Sequence, residues 1–240
     1  MTKQILVFQH TDWEGPGELL LQAAKRHRIK LQVTKLWAEP IPEIKLFNAL
    51  LVLGGGPNVN EEELYPFLKA EKSAIRQAIA MDLPYLGFCL GHQLLADALG
   101  ARVGKNFKPC VGFATGHLTA SGRSHPMFAA GPSRQTLFKW HGQAVLEPVP
   151  KNIEVLMTSE CCQIEAISVV GRPHIIGVQS DNHAAGAREV AEWLDMDRAW
   201  LDSLEDISID RNIIAHEAII YETAITEEFQ RFFDSFVKLL

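Results

Sequence analysis

Pro84-Tyr-Leu-Gly-Phe-Cys-Leu-Gly-His-Gln-Leu-Leu-Ala-Asp-Ala-Leu-Gly-Ala101 is the stretch that decides the fold. A short apolar run, residues 85–88, ends at Cys89. A helical pattern then starts at once, with Leu90, Leu94, Leu95, Ala98 and Leu99 on one face. Gly87 and Gly91 flank the cysteine at two-residue spacing. The pattern predicts a tight strand-to-helix turn, the cysteine version of a nucleophile elbow, which presents a side chain at the C-terminal edge of a sheet. Glycines suit that turn because a Cβ in so crowded a place would clash. The helix N-terminus beside the sulfur favours the thiolate, the form that attacks carbonyls. The Leu90 N–H points where an oxyanion would form. A lone G-x-C-x-G is more often a buried structural cysteine, so the functional reading needs support from the rest of the chain.

Working outward, strand and helix alternate over the first hundred residues. Residues 5–9 read as a buried strand. His10-Thr-Asp-Trp-Glu-Gly-Pro-Gly17 follows as a loop rich in breakers. Residues 18–27 read as a helix, 31–37 and 50–53 as strands, and a helix with Pro66 in its first turn comes before the elbow. Alternation of this kind predicts an α/β fold with a mostly parallel, doubly wound sheet and helices on both faces. Ligands of such sheets bind at the C-terminal ends of the strands. Residues 102–180 are richer in strand-like segments, at 113–120, 136–140, 153–158, 165–170 and 175–179. Two helical segments follow, one patterned by Val190, Trp193, Leu194, Leu201 and Leu204. The other carries a stripe of Phe229, Phe232, Phe233, Phe236, Val237 and Leu240, which reads as core or dimer contact. No linker divides the chain, so residues 1–240 are read as a single domain.

Gly87-Phe-Cys-Leu-Gly-His-Gln93 resembles the nucleophile segment of class I glutamine amidotransferases. Ala49-Leu-Leu-Val-Leu-Gly-Gly-Gly-Pro57 is similar to that family's third strand and the glycine loop after it. Lys139-Trp-His-Gly-Gln143 resembles its Trp-His-Gly-Asp stretch, and Ile175-Ile-Gly-Val-Gln179 the strand that delivers its histidine. The matches run in family order from about residue 5 to residue 194. The resemblance implies a flavodoxin-like domain of the stand-alone kind found beside GMP synthases and γ-glutamyl peptidases. It implies Cys89 as the nucleophile on a γ-glutamyl amide, with a thioester intermediate. The amides of Leu90 and Gly56 would be the oxyanion donors, and Gln93 the contact to the substrate amide.

The match breaks at the base. Where the family continues Gly-Val-Gln-Phe-His-Pro-Glu, this chain has Gly177-Val-Gln-Ser-Asp-Asn-His183. Asp181 stands at the histidine position and His183 at the glutamate position. An imidazole takes the thiol proton and stabilises the thiolate, whereas a carboxylate in its place raises the thiol pKa. Asp181 therefore does not replace the histidine. Residues two apart in an extended stretch share a face, so one expectation is that His183 reaches Cys89 while Asp181 orients it. His10, His92, His117, His141 and His174 are the other candidates for the base, although the ring of His92 should point away from the sulfur.

The 240 residues are 47% hydrophobic and 22% charged, with a formal net charge of −6, which suits a globular domain with a real core and no basic face for nucleic acid. No apolar run approaches the roughly 18 residues that suggest a membrane span, and the N-terminus runs into a strand without a signal-peptide pattern. Cys89, Cys110, Cys161 and Cys162 show no zinc spacing; Cys161 and Cys162 read as packing residues, reduced in a cytoplasm. Neither metal nor organic cofactor is implied. The expected function is a glutamine amidotransferase-type cysteine hydrolase that releases glutamate and ammonia from glutamine, feeding the ammonia to a separate synthase partner; the alternatives are a stand-alone γ-glutamyl peptidase or hydrolase, and an inactive binding or regulatory protein on the same fold. Glutamine or a γ-glutamyl compound is the small-molecule partner in each, and a homodimer is compatible with all three.

Overall fold

The computed structural model describes residues 2–204 and 209–240. Among the described residues one sheet of nine strands runs in the order β2-β1-β3-β4-β9-β8-β7-β5-β6. β1 (Gln4–Gln9), β2 (Lys30–Lys35), β3 (Ala49–Val52) and β4 (Tyr85–Phe88) are joined by α1 (Glu18–Arg26) and α2 (Phe67–Ala80), and α3 (Leu90–Ala98) leaves β4. These strands pair in parallel, and β9 (Arg172–Val178) completes the parallel part by pairing with β4. Ile5 to Phe8 and Ala49 to Val52 are fully buried, as continuous apolar strands covered on both faces should be.

Residues between β4 and β9 in sequence form an antiparallel extension: β5 (Arg102–Leu118), β6 (Arg134–Leu146), β7 (Ile153–Thr158) and β8 (Ala166–Val169). β5 begins eleven residues before the strand expected there, because polar Lys105, Asn106 and Lys108 hide the alternation and a register shift between Lys105 and Cys110 takes up Pro109. Its far end is shorter than expected. Thr119 accepts the Gly122 N–H and caps a short helix, α4 (Ala120–Ser124), so Ala120 turns away from the strand.

The expected helix near 190–204 is two, α5 (Ala187–Met196) and α6 (Arg198–Asp202), divided at Asp197. The Asp197 carboxylate accepts a bond from the Trp140 indole N–H at 2.8 Å, which ties the break to the site described below. α7 (Arg211–Val237) closes the domain. Pro66 stands at the N-cap of α2, one position before its first turn.

The sheet has two covered faces. α1, α5 and α7 pack on one, with Leu20, Val190, Trp193, Phe229, Phe233 and Phe236 buried against it. α2 and α3 pack on the other, with Leu68, Ile75, Leu94 and Leu95. The Phe stripe of α7 therefore goes to the core: Phe229, Phe233 and Phe236 are buried and Phe232 is partly so. Among the described residues no helix is long and apolar enough to cross a membrane.

Candidate active site

The C-terminal ends of β1, β3, β4 and β9 bring four loops together, and Cys89 stands in the middle. Its backbone has φ 44° and ψ −102°, a left-handed conformation that costs a non-glycine residue about 1–3 kcal/mol and needs its surroundings to enforce it. The Cys89 N–H donates to the Val178 carbonyl at 2.9 Å, the Gly91 N–H to Leu53 at 3.2 Å, and the Tyr85 hydroxyl to the Gly91 carbonyl at 2.8 Å. A Cβ on Gly91 would lie 2.2 Å from the Val52 carbonyl oxygen, and one on Gly87 2.5 Å from the Gly91 backbone. The glycine spacing thus reflects a turn squeezed between β3 and its own strand.

Cys89 lines a cavity of about 410 Å³, together with Leu90, Gly56 and Gln93. Among the described residues no carbonyl is paired with the Gly56 amide. The Leu90 amide lies close enough to the Cys89 sulfur to favour its thiolate. Gln93 is committed internally: its side-chain amide donates to the Gln143 carbonyl at 3.0 Å and to the Gln179 side chain at 3.1 Å. Gln179 in turn donates to the Cys89 sulfur at 3.5 Å.

His183 does not reach the sulfur. Its Nδ1–H donates to the Pro16 carbonyl at 2.9 Å, and its ring lies 4.6 Å from the Phe88 ring. Nε2 faces Asp181 at 3.7 Å. The expected contact between Asp181 and His183 therefore exists, but in inverted order, with Asp181 between the imidazole and the thiol. Two features fix this order. The Gly17 backbone packs against the His183 carbonyl, where a Cβ would lie 2.3 Å away. Asn182 accepts the Phe138 N–H at 2.8 Å and donates to the Thr136 carbonyl at 2.7 Å, imitating a strand partner for β6. The loop is pinned and cannot slide by the two residues that His183 would need.

The other histidines do not replace it. His10 donates Nδ1–H to the Gly54 carbonyl at 2.6 Å and pairs through Nε2 with Glu71 at 2.8 Å. Burial opposes its charge, but the Glu71 carboxylate and the Gly54 carbonyl outweigh burial and raise its pKa. His92 is held neutral, with its pKa lowered to about 3 by burial and by the Lys139 charge. His141 lines the cavity, yet its Nδ1–H is spent on the Gln143 carbonyl at 2.8 Å, and burial and Lys139 keep it neutral. His174 pairs with Asp82, and His117 is exposed on β5.

Glu14, which sequence reasoning passed over, shares the site. A Cβ on Gly54 would lie 2.4 Å from a Glu14 carboxyl oxygen, 2.9 Å from one of Asp181 and 3.4 Å from the Cys89 Cβ. The absence of a side chain at Gly54 is what lets two carboxyls and the thiol meet. The signal available was position: Glu14 sits in the breaker loop after β1, at the ligand-binding edge. Burial and then Asp181 and Asp197 push the Glu14 pKa well up. Burial also raises Asp181, against the pull of His183, Lys139 and Cys89. Both Asp181 oxygens are buried without a hydrogen-bond partner among the described residues. Burial, Asp181 and Glu14 push the Cys89 thiol well above its usual range; Lys139 and the Leu90 amide only partly oppose them. Lys139 itself is buried in an ion pair with Glu165, whose other oxygen accepts the Ser159 hydroxyl at 2.6 Å. Among the described residues no cluster of ligating side chains could hold a metal.

The profile of the glutamine amidotransferase class-I family matches residues 16–180. The chain is 34% identical over 158 residues to the glutamine amidotransferase-like protein YfeJ of Salmonella typhimurium, covering 64% of this chain and 65% of that one. It is 31% identical over 129 residues to one subunit of the glutamine-hydrolyzing GMP synthase of Methanocaldococcus jannaschii, covering 54% of this chain and 61% of that one. The matches span less than two thirds of either relative. A glutamine amidotransferase of Thermotoga maritima superposes with a TM-score of 0.87 over 99% of both chains at 22% identity. One of Methylobacillus flagellatus gives 0.85 over 100% of this chain and 96% of that one, also at 22%. At that identity the likeness is one of fold.

Proposed function

The chain belongs to the glutamine amidotransferase class-I family, and from that premise we propose that it binds a γ-glutamyl amide in the Cys89 cavity while the thiol stays protonated, so that hydrolysis through a Cys–His pair is suppressed. The observation that carries this reading is the pair of buried carboxyls, Asp181 and Glu14, beside the sulfur. In a Cys–His pair the cation formed by proton transfer stabilises the thiolate. Here proton loss from Cys89 would add an anion to a buried site that two carboxyls already crowd. The binding half of the machinery is retained in this reading. The cavity is of ligand size, the Leu90 and Gly56 amides face an acceptor such as the side-chain carbonyl of glutamine, and Trp13, Trp140 and Trp200 form an apolar wall. The protein is then a sensor or regulatory partner of γ-glutamyl metabolism.

One observation favours a hydrolase as the second reading. Cys89 keeps the strained elbow conformation that serves attack more than binding. In that reading an ionised carboxyl of the Asp181–Glu14 pair takes the thiol proton. A glutaminase partnered by a separate synthase chain, on the pattern of the GMP synthase relatives, then returns as a candidate.

One experiment separates the two. The protein is incubated with an electrophilic glutamine analogue and its intact mass recorded, with Cys89→Ala as control, while glutamine binding is followed by calorimetry. Glutamine binding without an adduct at neutral pH is the expected result. A stoichiometric adduct at pH 7 that Cys89→Ala abolishes, together with glutamate release from glutamine, overturns the binding reading in favour of the hydrolase.

A further inference from the structure

Three of the four cysteines meet away from the nucleophile. Cys110 on β5, and Cys161 and Cys162 in the turn between β7 and β8, form a small cluster of their own with Ala144. The Cys110 sulfur lies 2.8 Å from the Cys161 carbonyl oxygen. The Asn106 side-chain amide stands over both residues, 2.7 Å from that carbonyl and 3.5 Å from the Cys110 sulfur. Cys110 and Cys161 line one cleft of about 350 Å³ with Lys108, Lys139 and Ile214. Cys162 differs: it is fully buried, its thiol donates to the Ile164 carbonyl at 3.4 Å, and it does not line the cleft. Cys161 is therefore partly exposed at this cleft and Cys110, though buried, lines it, while the third cysteine is sealed.

Their environments divide the labour of a thiol pair. Cys161 is half-exposed and has the Ser159 hydroxyl 3.4 Å from its sulfur. Its pKa is drawn down to about 6, first by the neighbouring Cys110 thiol, against burial, and then by Ser159 and Lys139. The Cys110 thiol is pushed up by its Cys161 neighbour and by burial. Accessible thiols with thiolate character beside a second cysteine are those that oxidise reversibly. A bridge between adjacent Cys161 and Cys162 would be strained.

We propose that Cys110 and Cys161 are a reversible oxidation site, closed to a disulfide by a small peroxide. The Cys161 thiolate attacks one peroxide oxygen, the O–O bond breaks, and with one proton water leaves, giving the sulfenic acid. The Cys110 sulfur then attacks the Cys161 sulfur and the S–O bond breaks. The departing hydroxide takes the Cys110 proton and leaves as a second water. Two thiols are oxidised by two electrons and one peroxide is reduced to two waters. The bond would join β5 to the turn that carries Glu165, the partner of Lys139. It does not depend on what Cys89 does.

The test uses the full chain with hydrogen peroxide in small excess, quenched with N-ethylmaleimide and read by intact mass and peptide mapping. The expected product has lost about 2 Da and two alkylation sites. A Cys110–Cys161 cross-linked peptide accounts for the loss, and dithiothreitol restores both sites. In Cys110→Ser, oxidation should stop at a Cys161 sulfenic acid that dimedone captures, and Cys161→Ser should give neither product. Unchanged alkylation of the wild type at peroxide levels that oxidise free cysteine overturns the proposal. So does a bond that maps to Cys161–Cys162 or Cys110–Cys162, or one formed between chains.

Discussion

An acid and an imidazole set in reversed order at positions 181 and 183 bear directly on what the Cys89 pocket can do. With Asp181 against the thiol and His183 behind it, site-specific alkylation of Cys89 by iodoacetamide should be slow at pH 7 and climb about tenfold per pH unit without levelling off up to pH 8, as for a thiol with a raised pKa. A plateau already reached at pH 7, read by peptide mass, would contradict the assignment. The double variant Asp181→His with His183→Glu restores the usual order and should speed that reaction at pH 7 by roughly tenfold for each pKa unit regained. Neither single change should do so: Asp181→His alone sets two imidazoles side by side, and His183→Glu alone puts a third carboxyl beside Asp181 and Glu14. Glu14 has a further consequence for stability. Its raised pKa means the folded state holds a proton that the unfolded chain releases near pH 4.5. Stability is therefore full below that pH and lost as pH rises through the folded pKa. Glu14→Gln keeps the shape and removes the titration. Its melting temperature should exceed the wild type's at pH 8, by about 2–4 °C per kcal/mol, and the gap should close toward pH 4.5. An equal gap at both pH values would mean that Glu14 does not titrate in this way.

At the scale of elements, the elbow was legible because its constraint is local. Gly87, Cys89 and Gly91 are fixed by the turn itself, and the structure agrees with the spacing. Gly91→Ala should cost about 3 kcal/mol, at the upper end of overpacking, since the new methyl meets the Val52 carbonyl. Gly100→Ala meets no atom within 4 Å and carries only its positive φ, so about 1–2 kcal/mol is expected in urea unfolding. The base was not legible, because it depends on which way a loop is pinned. Nothing in Ser-Asp-Asn-His tells that Asn182 will clamp β6 or that Pro16, far away in sequence, will capture the His183 ring. β5 was only half legible, since a strand with lysines, a proline and a register shift lacks the alternation that marks strands. Lys139 and Glu165, on different elements, illustrate the same limit. Their buried pairing is a tertiary fact, and Glu165→Ala should cost about 3–5 kcal/mol by leaving the ammonium uncompensated.

The whole molecule is a parallel half that carries Cys89 and an antiparallel half, inserted into it in sequence, that adds Trp140 and His141 to the cavity wall. The first half could be read from alternation, and the Phe stripe of α7 could be read as a packing face. Only the structure decided that the stripe faces the sheet: Phe233→Ala should cost about 3–5 kcal/mol and leave the protein's association state unchanged by sedimentation. The pairing of β4 with β9 is the long-range fact that no local pattern announces. It also sets an order of events. As the chain leaves the ribosome, β4 emerges with one edge unpaired and its apolar residues ready, while β5 to β8 must all be made before β9 arrives to cover that edge. For that interval the nascent chain carries an open strand of the kind that recruits chaperones or stray partners, so slowing translation between β4 and β9 should lower the yield of soluble protein more than slowing it after β9.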